Sequence, residues 1–64
     1  MQILVLGGGG REHAIVWKLA QSKKVEKIFA APGNPGIAEL AECVALDIED
    51  GKALVAWAKE HKID

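Results

Sequence analysis

The 64-residue chain has little of what small proteins use to reinforce a fold. Its single cysteine, Cys43, excludes an internal disulfide, and two histidines without a Cys-x-x-Cys pair provide no metal-binding framework. A domain of about this size buries only ~60% of the surface of its unfolded chain, so without such reinforcement it is marginally stable. The low cysteine content is typical of a reducing compartment, and we expect a cytoplasmic protein.

Charge and hydropathy exclude two classes of partner. Eight basic and nine acidic residues give a net charge of −1, so no long-range field draws the protein to nucleic acid or to an anionic membrane. The first apolar run, Ile3 to Leu6, has no basic leader, and the longest run elsewhere, Ala53 to Ala58, is far shorter than a membrane span. We therefore expect local binding of small molecules, without nucleic acid or membrane.

The most distinctive sequence lies near the N-terminus. The apolar run Ile3 to Leu6 meets four consecutive glycines, Gly7 to Gly10, and a helical pattern follows, which predicts a strand, a tight turn and a helix N-terminus. Glycine permits positive φ and close backbone approach, and the N–H groups of a first helical turn have no intrahelical acceptor. This turn is therefore suited to bind an anion such as phosphate.

Strands and helices alternate along the rest of the chain. The predicted strands are Gln2 to Leu6, Lys27 to Ala31 and Cys43 to Leu46, and the predicted helices are Gly10 or Arg11 to Gln21, Ile37 to about Ala41, and Gly51 to about Lys62. The first strand shows no alternation, which is typical of a parallel strand covered on both faces. We expect an α/β fold with an incomplete, doubly wound parallel sheet. The strand expected beside strand 1 would follow Asp64, so we expect residues 1–64 to belong to a larger protein.

The glycine turn matches the known nucleotide-binding fingerprints only in part. Where the dinucleotide fingerprint needs a small residue, this chain has Glu12 or His13, and no acidic residue ends the second strand. No Gly-Lys-Ser/Thr follows the turn, so the Walker pattern fails as well. Two alternatives stay open beside a phosphate site: the dinucleotide-binding domain of an oxidoreductase, and a turn that binds nothing.

Four polar residues near the two predicted loops are candidates for ligand contacts. Arg11 presents a planar set of donors for phosphate, or is a solvated charge. Glu12 is an acceptor for an amine or a sugar hydroxyl, or a first-turn residue favoured by the helix dipole. His13 is expected to pack. Asn34, in the loop after the second strand, either binds a ligand hydroxyl or forms an Asx turn, and both loops are expected to open onto one crevice.

Four stretches resemble the N-terminus of the phosphoribosylamine–glycine ligase (glycinamide ribonucleotide synthetase) family: Leu4 to Ala14, Trp17-Lys18, Ala31 to Gly36, and Lys62 to Asp64. That family belongs to the ATP-grasp ligases and joins glycine to phosphoribosylamine in purine synthesis, with cleavage of ATP. The resemblance implies a Rossmann-like N-terminal domain that borders the phosphoribosylamine site. It also implies that ATP and Mg²⁺ are bound by later domains absent from this chain, which itself carries no catalytic or metal-binding residue.

The same resemblance implies which residues meet the substrate. Gly9, Gly10 and Arg11 are expected near its phosphate, and Glu12 and Asn34 near its ribose or amine, with Gly36 completing the second loop. A role as a structural cap with no ligand contacts is the remaining alternative.

Overall fold

A computed structural model describes residues 1–64 and alternates strands with helices along the chain. In order, the elements are β1 (Gln2–Gly7), α1 (Gly10–Leu19), β2 (Lys27–Pro32), a 3₁₀ helix (Ile37–Glu39), β3 (Glu42–Cys43) and α2 (Gly51–Glu60). The strands form one sheet in the order β1-β2-β3, and both neighbouring pairs are parallel. The predicted α/β class with a parallel sheet is confirmed.

The ends of several elements differ from the predictions. Strand β3 has two residues, where the sequence predicted a strand from Cys43 to Leu46. Pairing stops because, after Val44 N–H donates to the carbonyl of Ala30 at 2.8 Å, the next turn bonds Leu46 N–H back to Val44. Both helices are two residues shorter than predicted at their C-terminal ends, and the predicted residues there lie in turns.

The prediction that the first strand is covered on both faces concerns the complete sheet and is not tested by residues 1–64. Strand β1 lies at the edge of the sheet and has one neighbour, so its residues are half-buried and Leu6 is 46% exposed. The covered strand is β2, which lies between two others and has four consecutive buried residues, Ile28 to Ala31.

Alternate residues of β2 pack on opposite sides of the sheet, as the two-residue repeat of a strand requires. Ile28 and Ala30 join Val16 of α1 and Ile37 of the 3₁₀ helix in the aliphatic core. On the other face, the ring of Phe29 meets Trp57 of α2 edge-on, with centroids 4.9 Å apart. The sheet is therefore the middle of three layers.

Helix α2 is bounded by two well-formed caps. The Asp50 carboxylate accepts a hydrogen bond from Ala53 N–H at 3.1 Å, so Asp50 is the N-cap of this helix. At the other end, Lys62 has φ +55° and Ile63 N–H donates to the carbonyl of Ala58 at 2.9 Å, the geometry of a Schellman motif. Neither α1 nor α2 has the length and apolarity that crossing a membrane requires.

Candidate functional site

The glycine turn joins β1 to α1 and is folded around a side chain of its own. Gly7 has φ +129°, and a Cβ there would lie 2.5 Å from Cγ of Glu12, so glycine is required on both counts. The Glu12 carboxylate turns back and accepts a hydrogen bond from Gly9 N–H at 3.2 Å. The first-turn role of Glu12 that the sequence left open is therefore present in the structure as a helix cap.

The second loop follows β2 and is hydrogen-bonded to the glycine turn. Gly33 N–H donates to the carbonyl of Gly7 at 3.1 Å, and Nδ2 of Asn34 donates to the carbonyl of Gly8 at 2.7 Å. The contact is so close that a Cβ on Gly8 would lie 2.5 Å from the carbonyl oxygen of Gly33. The two loops lie side by side at the carboxyl ends of β1 and β2, where α/β sheets bind their ligands.

Asn34 uses both ends of its amide within the chain. Its Oδ1 accepts from Ile37 N–H at 2.8 Å, while Nδ2 is bound to Gly8. This is the local structural role that the sequence offered as an alternative to ligand binding, and it leaves one amide hydrogen without a partner in the chain. Asn34 thus connects the two loops, and one N–H of its side-chain amide remains available to a ligand.

Arg11 lies at the start of α1 with its side chain exposed and makes no ion pair in the chain. Gly9 and Gly10 beside it are also exposed. The N–H groups of the first helical turn have no acceptor inside the helix, and the positive end of the helix dipole lies here. Apart from the Gly9 N–H taken by Glu12, this end of α1 presents a guanidinium and free N–H groups to solvent. That combination binds phosphate well.

His13 and Cys43 pack against two glycines of the second loop, Gly36 and Gly33. A Cβ on Gly36 would lie 2.7 Å from Cε1 of the His13 ring, so the half-buried imidazole packs directly on this glycine. The thiol of Cys43 contacts Gly33 where a side chain would otherwise stand, and lies 3.7 Å from the carbonyl oxygen of Asn34. The sequence predicted packing for His13 but gave no sign of the glycine that it packs against.

The site is an open surface. Two surface depressions, of about 1120 and 420 Å³, lie beside α2 and beneath the end of α1, and neither includes a residue of the two loops. No three His, Cys, Asp or Glu side chains come together as a metal ion would need. The described residues are therefore suited to bind a ligand that has an anionic group with a polar group beside it.

A parallel α/β sheet with a glycine turn and a second loop meeting at the carboxyl ends of its strands defines a Rossmann-like domain. The family model described as "Phosphoribosylglycinamide synthetase, N domain" matches residues 1–64. The chain therefore belongs to this N-domain family.

Relatives in three bacteria carry one enzyme name. The chain is 59% identical over 64 residues to the phosphoribosylamine–glycine ligase of Caldanaerobacter subterraneus subsp. tengcongensis and 56% identical over 64 residues to that of Agrobacterium fabrum. It is 57% identical over 63 residues to the ligase of Halalkalibacterium halodurans. These matches cover 98–100% of this chain and 15% of each relative, so the chain spans about a seventh of their length. They give the dinucleotide-binding alternative no support.

Proposed function

We propose that this chain contributes to the phosphoribosylamine site of a ligase that joins glycine to 5-phosphoribosylamine, giving glycinamide ribonucleotide, ADP and phosphate in de novo purine synthesis. The names of the relatives support the reaction, and the family model supports the assignment of the chain to its first domain. The observation that carries the role of this chain is the contact between its two loops, in which Asn34 Nδ2 meets the carbonyl of Gly8 at 2.7 Å.

In this proposal the two loops divide the substrate between them. Gly9, Gly10 and Arg11 bind the phosphate, because free N–H groups and a guanidinium are exposed together at the start of α1. Glu12, which caps the glycine turn, and Asn34, which joins this turn to the second loop, bind the ribose or amine. Gly36, which lies beside the Asn34 side chain in the second loop, is the sixth substrate-binding residue of this proposal. None of these residues takes part in bond making, so catalysis is assigned to the rest of the protein.

ATP and Mg²⁺ belong to that remainder in our proposal. The described residues do not suit either group, because the glycine turn lacks a following Gly-Lys-Ser/Thr and no cluster of three metal-binding side chains exists. We therefore assign ATP and Mg²⁺ to the ATP-grasp domains that the family resemblance implies. The partners of this chain are small molecules and the rest of its own protein, in the cytoplasm.

The open edge of β1 supports the view that residues 1–64 are the first part of a substrate-binding domain. The N–H and C=O groups of successive β1 residues point alternately toward β2 and away from it, and those of Gln2 point away. There Gln2 N–H donates to the Asp64 carboxylate at 2.6 Å, and its carbonyl accepts from Asp64 N–H at 2.8 Å. The N–H and C=O groups of Leu4 and Leu6 point away from β2 as well. We propose that a further strand of the protein pairs along this edge.

Replacing Arg11 tests the phosphate site. In the full-length protein, Arg11→Ala removes a charge-assisted contact worth about 1.5–3 kcal/mol, so KM for phosphoribosylamine should rise while KM for glycine and ATP stays unchanged. Lys18→Ala is the matched control, since it removes the same charge from the exposed last turn of α1. Steady-state kinetics with each substrate varied in turn measure both variants.

The Glu12→Gln variant distinguishes the capping role of Glu12 from the role of its negative charge. Glutamine keeps an oxygen that accepts from Gly9 N–H, so the turn and the melting temperature should be preserved. A carboxylate that orients the attacking amine is lost, so kcat and kcat/KM should fall together, since a misplaced nucleophile reacts slowly even when bound. Wild-type constants for phosphoribosylamine in both Arg11→Ala and Glu12→Gln would mean that the loop is only a structural turn.

A further inference from the structure

Gly36 does not use the conformational freedom of glycine. Its φ of −70° and ψ of −42° are ordinary helical values that any L-residue adopts. What excludes a side chain there is the ring of His13, because a Cβ on Gly36 would lie 2.7 Å from Cε1 and 3.0 Å from Nδ1. The glycine is therefore required by its neighbour across the two loops and not by its own backbone.

The His13 ring occupies a position where it determines the spacing of the loops. It projects from the second turn of α1, the helix that the glycine turn begins, and rests on the second loop. Neither ring nitrogen has a hydrogen-bond partner in the chain, so the contact is one of shape. Directly beyond Gly36 lies Ile37, which is fully buried and whose N–H binds Oδ1 of Asn34.

A shift of Gly36 therefore reaches Asn34. The buried Ile37 side chain holds one end of the segment in the core, so a displacement at Gly36 is taken up by the loop that precedes it. That loop carries Asn34, whose Nδ2 reaches Gly8 at 2.7 Å across the gap. The Oδ1 atom of Asn34 also lies 3.3 Å from the place of a Cβ on Gly36, so the ring, the glycine and the amide form one packed unit.

We propose that His13 is a positioning residue for the phosphoribosylamine site. Its ring packs on Gly36 and sets the distance between the second loop and the glycine turn, which places Asn34 for the substrate. The inference rests on the proposed function, because it concerns the affinity of the same site.

The test is a size-swap cycle in the full-length protein with His13→Ala, Gly36→Ala and the double variant. Calorimetry with glycinamide ribonucleotide gives the affinity, and KM for phosphoribosylamine and for ATP are measured beside it. Gly36→Ala should weaken product binding about tenfold and raise KM for phosphoribosylamine alone, because the added methyl overpacks the contact. Adding His13→Ala removes the clash and should recover affinity to within about threefold of wild type.

Gly51→Ala is the control, since nothing lies within 4 Å of a Cβ on this first residue of α2 and it is remote from both loops. If Gly36→Ala alone does not fold, the double variant is compared with His13→Ala instead. The added methyl then fills the space that the imidazole vacated, so product affinity in the double variant should not be lower than in His13→Ala. Additive losses in the double variant would overturn the inference. If Arg11→Ala and Gly36→Ala both left product affinity unchanged, the proposed function would fail; a loss in Arg11→Ala alone would reject only the role of His13.

Discussion

The two faces of the sheet are packed in different ways, although β2 supplies buried residues to both. On the α1 side, Val16 and Ile37 are fully buried and enclose Ala30 between them. On the α2 side no helix residue is fully buried, and the contact consists of the Phe29 ring against Trp57 and His61. The tightly packed face is the one from which both loops of the candidate site project. Rigidity is concentrated where the ligand is expected.

The largest effect is expected when residues 1–64 are produced alone. Only six residues are buried, all in or against β2, while β1 has an open edge and α2 has a loosely covered face. Such a chain has too little core to offset the entropy of ordering it. Far-UV circular dichroism should therefore show no cooperative thermal transition. A sharp two-state melt would mean that the α1 face suffices for an independent fold.

The next effect in size concerns the aliphatic face. Ile37→Ala in the full-length protein removes a fully buried side chain from the core and should lower the free energy of unfolding by about 2–5 kcal/mol. Denaturant titration measures it, with Leu40→Ala as control, since Leu40 is 38% exposed one turn later. Equal losses in the two variants would mean that Ile37 is no more closely packed than its exposed neighbour.

The aromatic face should respond less. Trp57→Leu keeps an apolar side chain but removes the edge-on contact with Phe29 and the stacking on His61 at 3.9 Å, together worth about 0.5–1.5 kcal/mol. The same titration applies. Trp17→Leu on α1 serves for comparison, because Trp17 is 57% exposed and has no aromatic neighbour. A larger loss at Trp17 than at Trp57 would show that its surface is covered in the full-length protein.

The smallest effect is a gain. Lys62 has φ +55° at the end of α2, a conformation that costs an L-residue energy and glycine almost none. Lys62→Gly should therefore stabilise the full-length protein by about 0.5 kcal/mol after the extra entropy of glycine in the unfolded chain is counted. Differential scanning calorimetry detects the shift. Lys59→Gly, in the last turn of the helix where the backbone is still helical, should instead destabilise.

Some of this structure was predictable and some was not. The Gly7 to Gly10 run and the apolar strand before it have strong local signals, so the turn, the helix start and the α/β class followed from them. The length of β3 was misjudged because Val44 to Leu46 is apolar enough for a strand, yet its pairing ends in a turn set by tertiary contacts.

Within the candidate site, local chemistry was readable and contacts between distant residues were not. Glu12 three positions after Gly9 is the spacing of a helix cap, and the structure has that hydrogen bond. The packing of His13 on Gly36 joins residues 23 positions apart, and no periodicity in one sequence reports it. For the same reason the sequence does not report that the carbonyl of Gly33 leaves Gly8 no room for a side chain.

The hydrogen bond from Gly9 N–H to Glu12 changes what phosphate binding at the turn would involve. The Gly9 N–H already binds a carboxylate, which lies half-buried over Gly7. Under the proposed function, a phosphate at this N–H would replace the carboxylate, which would stay close by because its own helix holds it. The Gly9 N–H would then have an acceptor before and after binding, while the other N–H groups of the first turn face solvent, and the released carboxylate would be free for a cationic or hydroxyl-bearing part of the ligand.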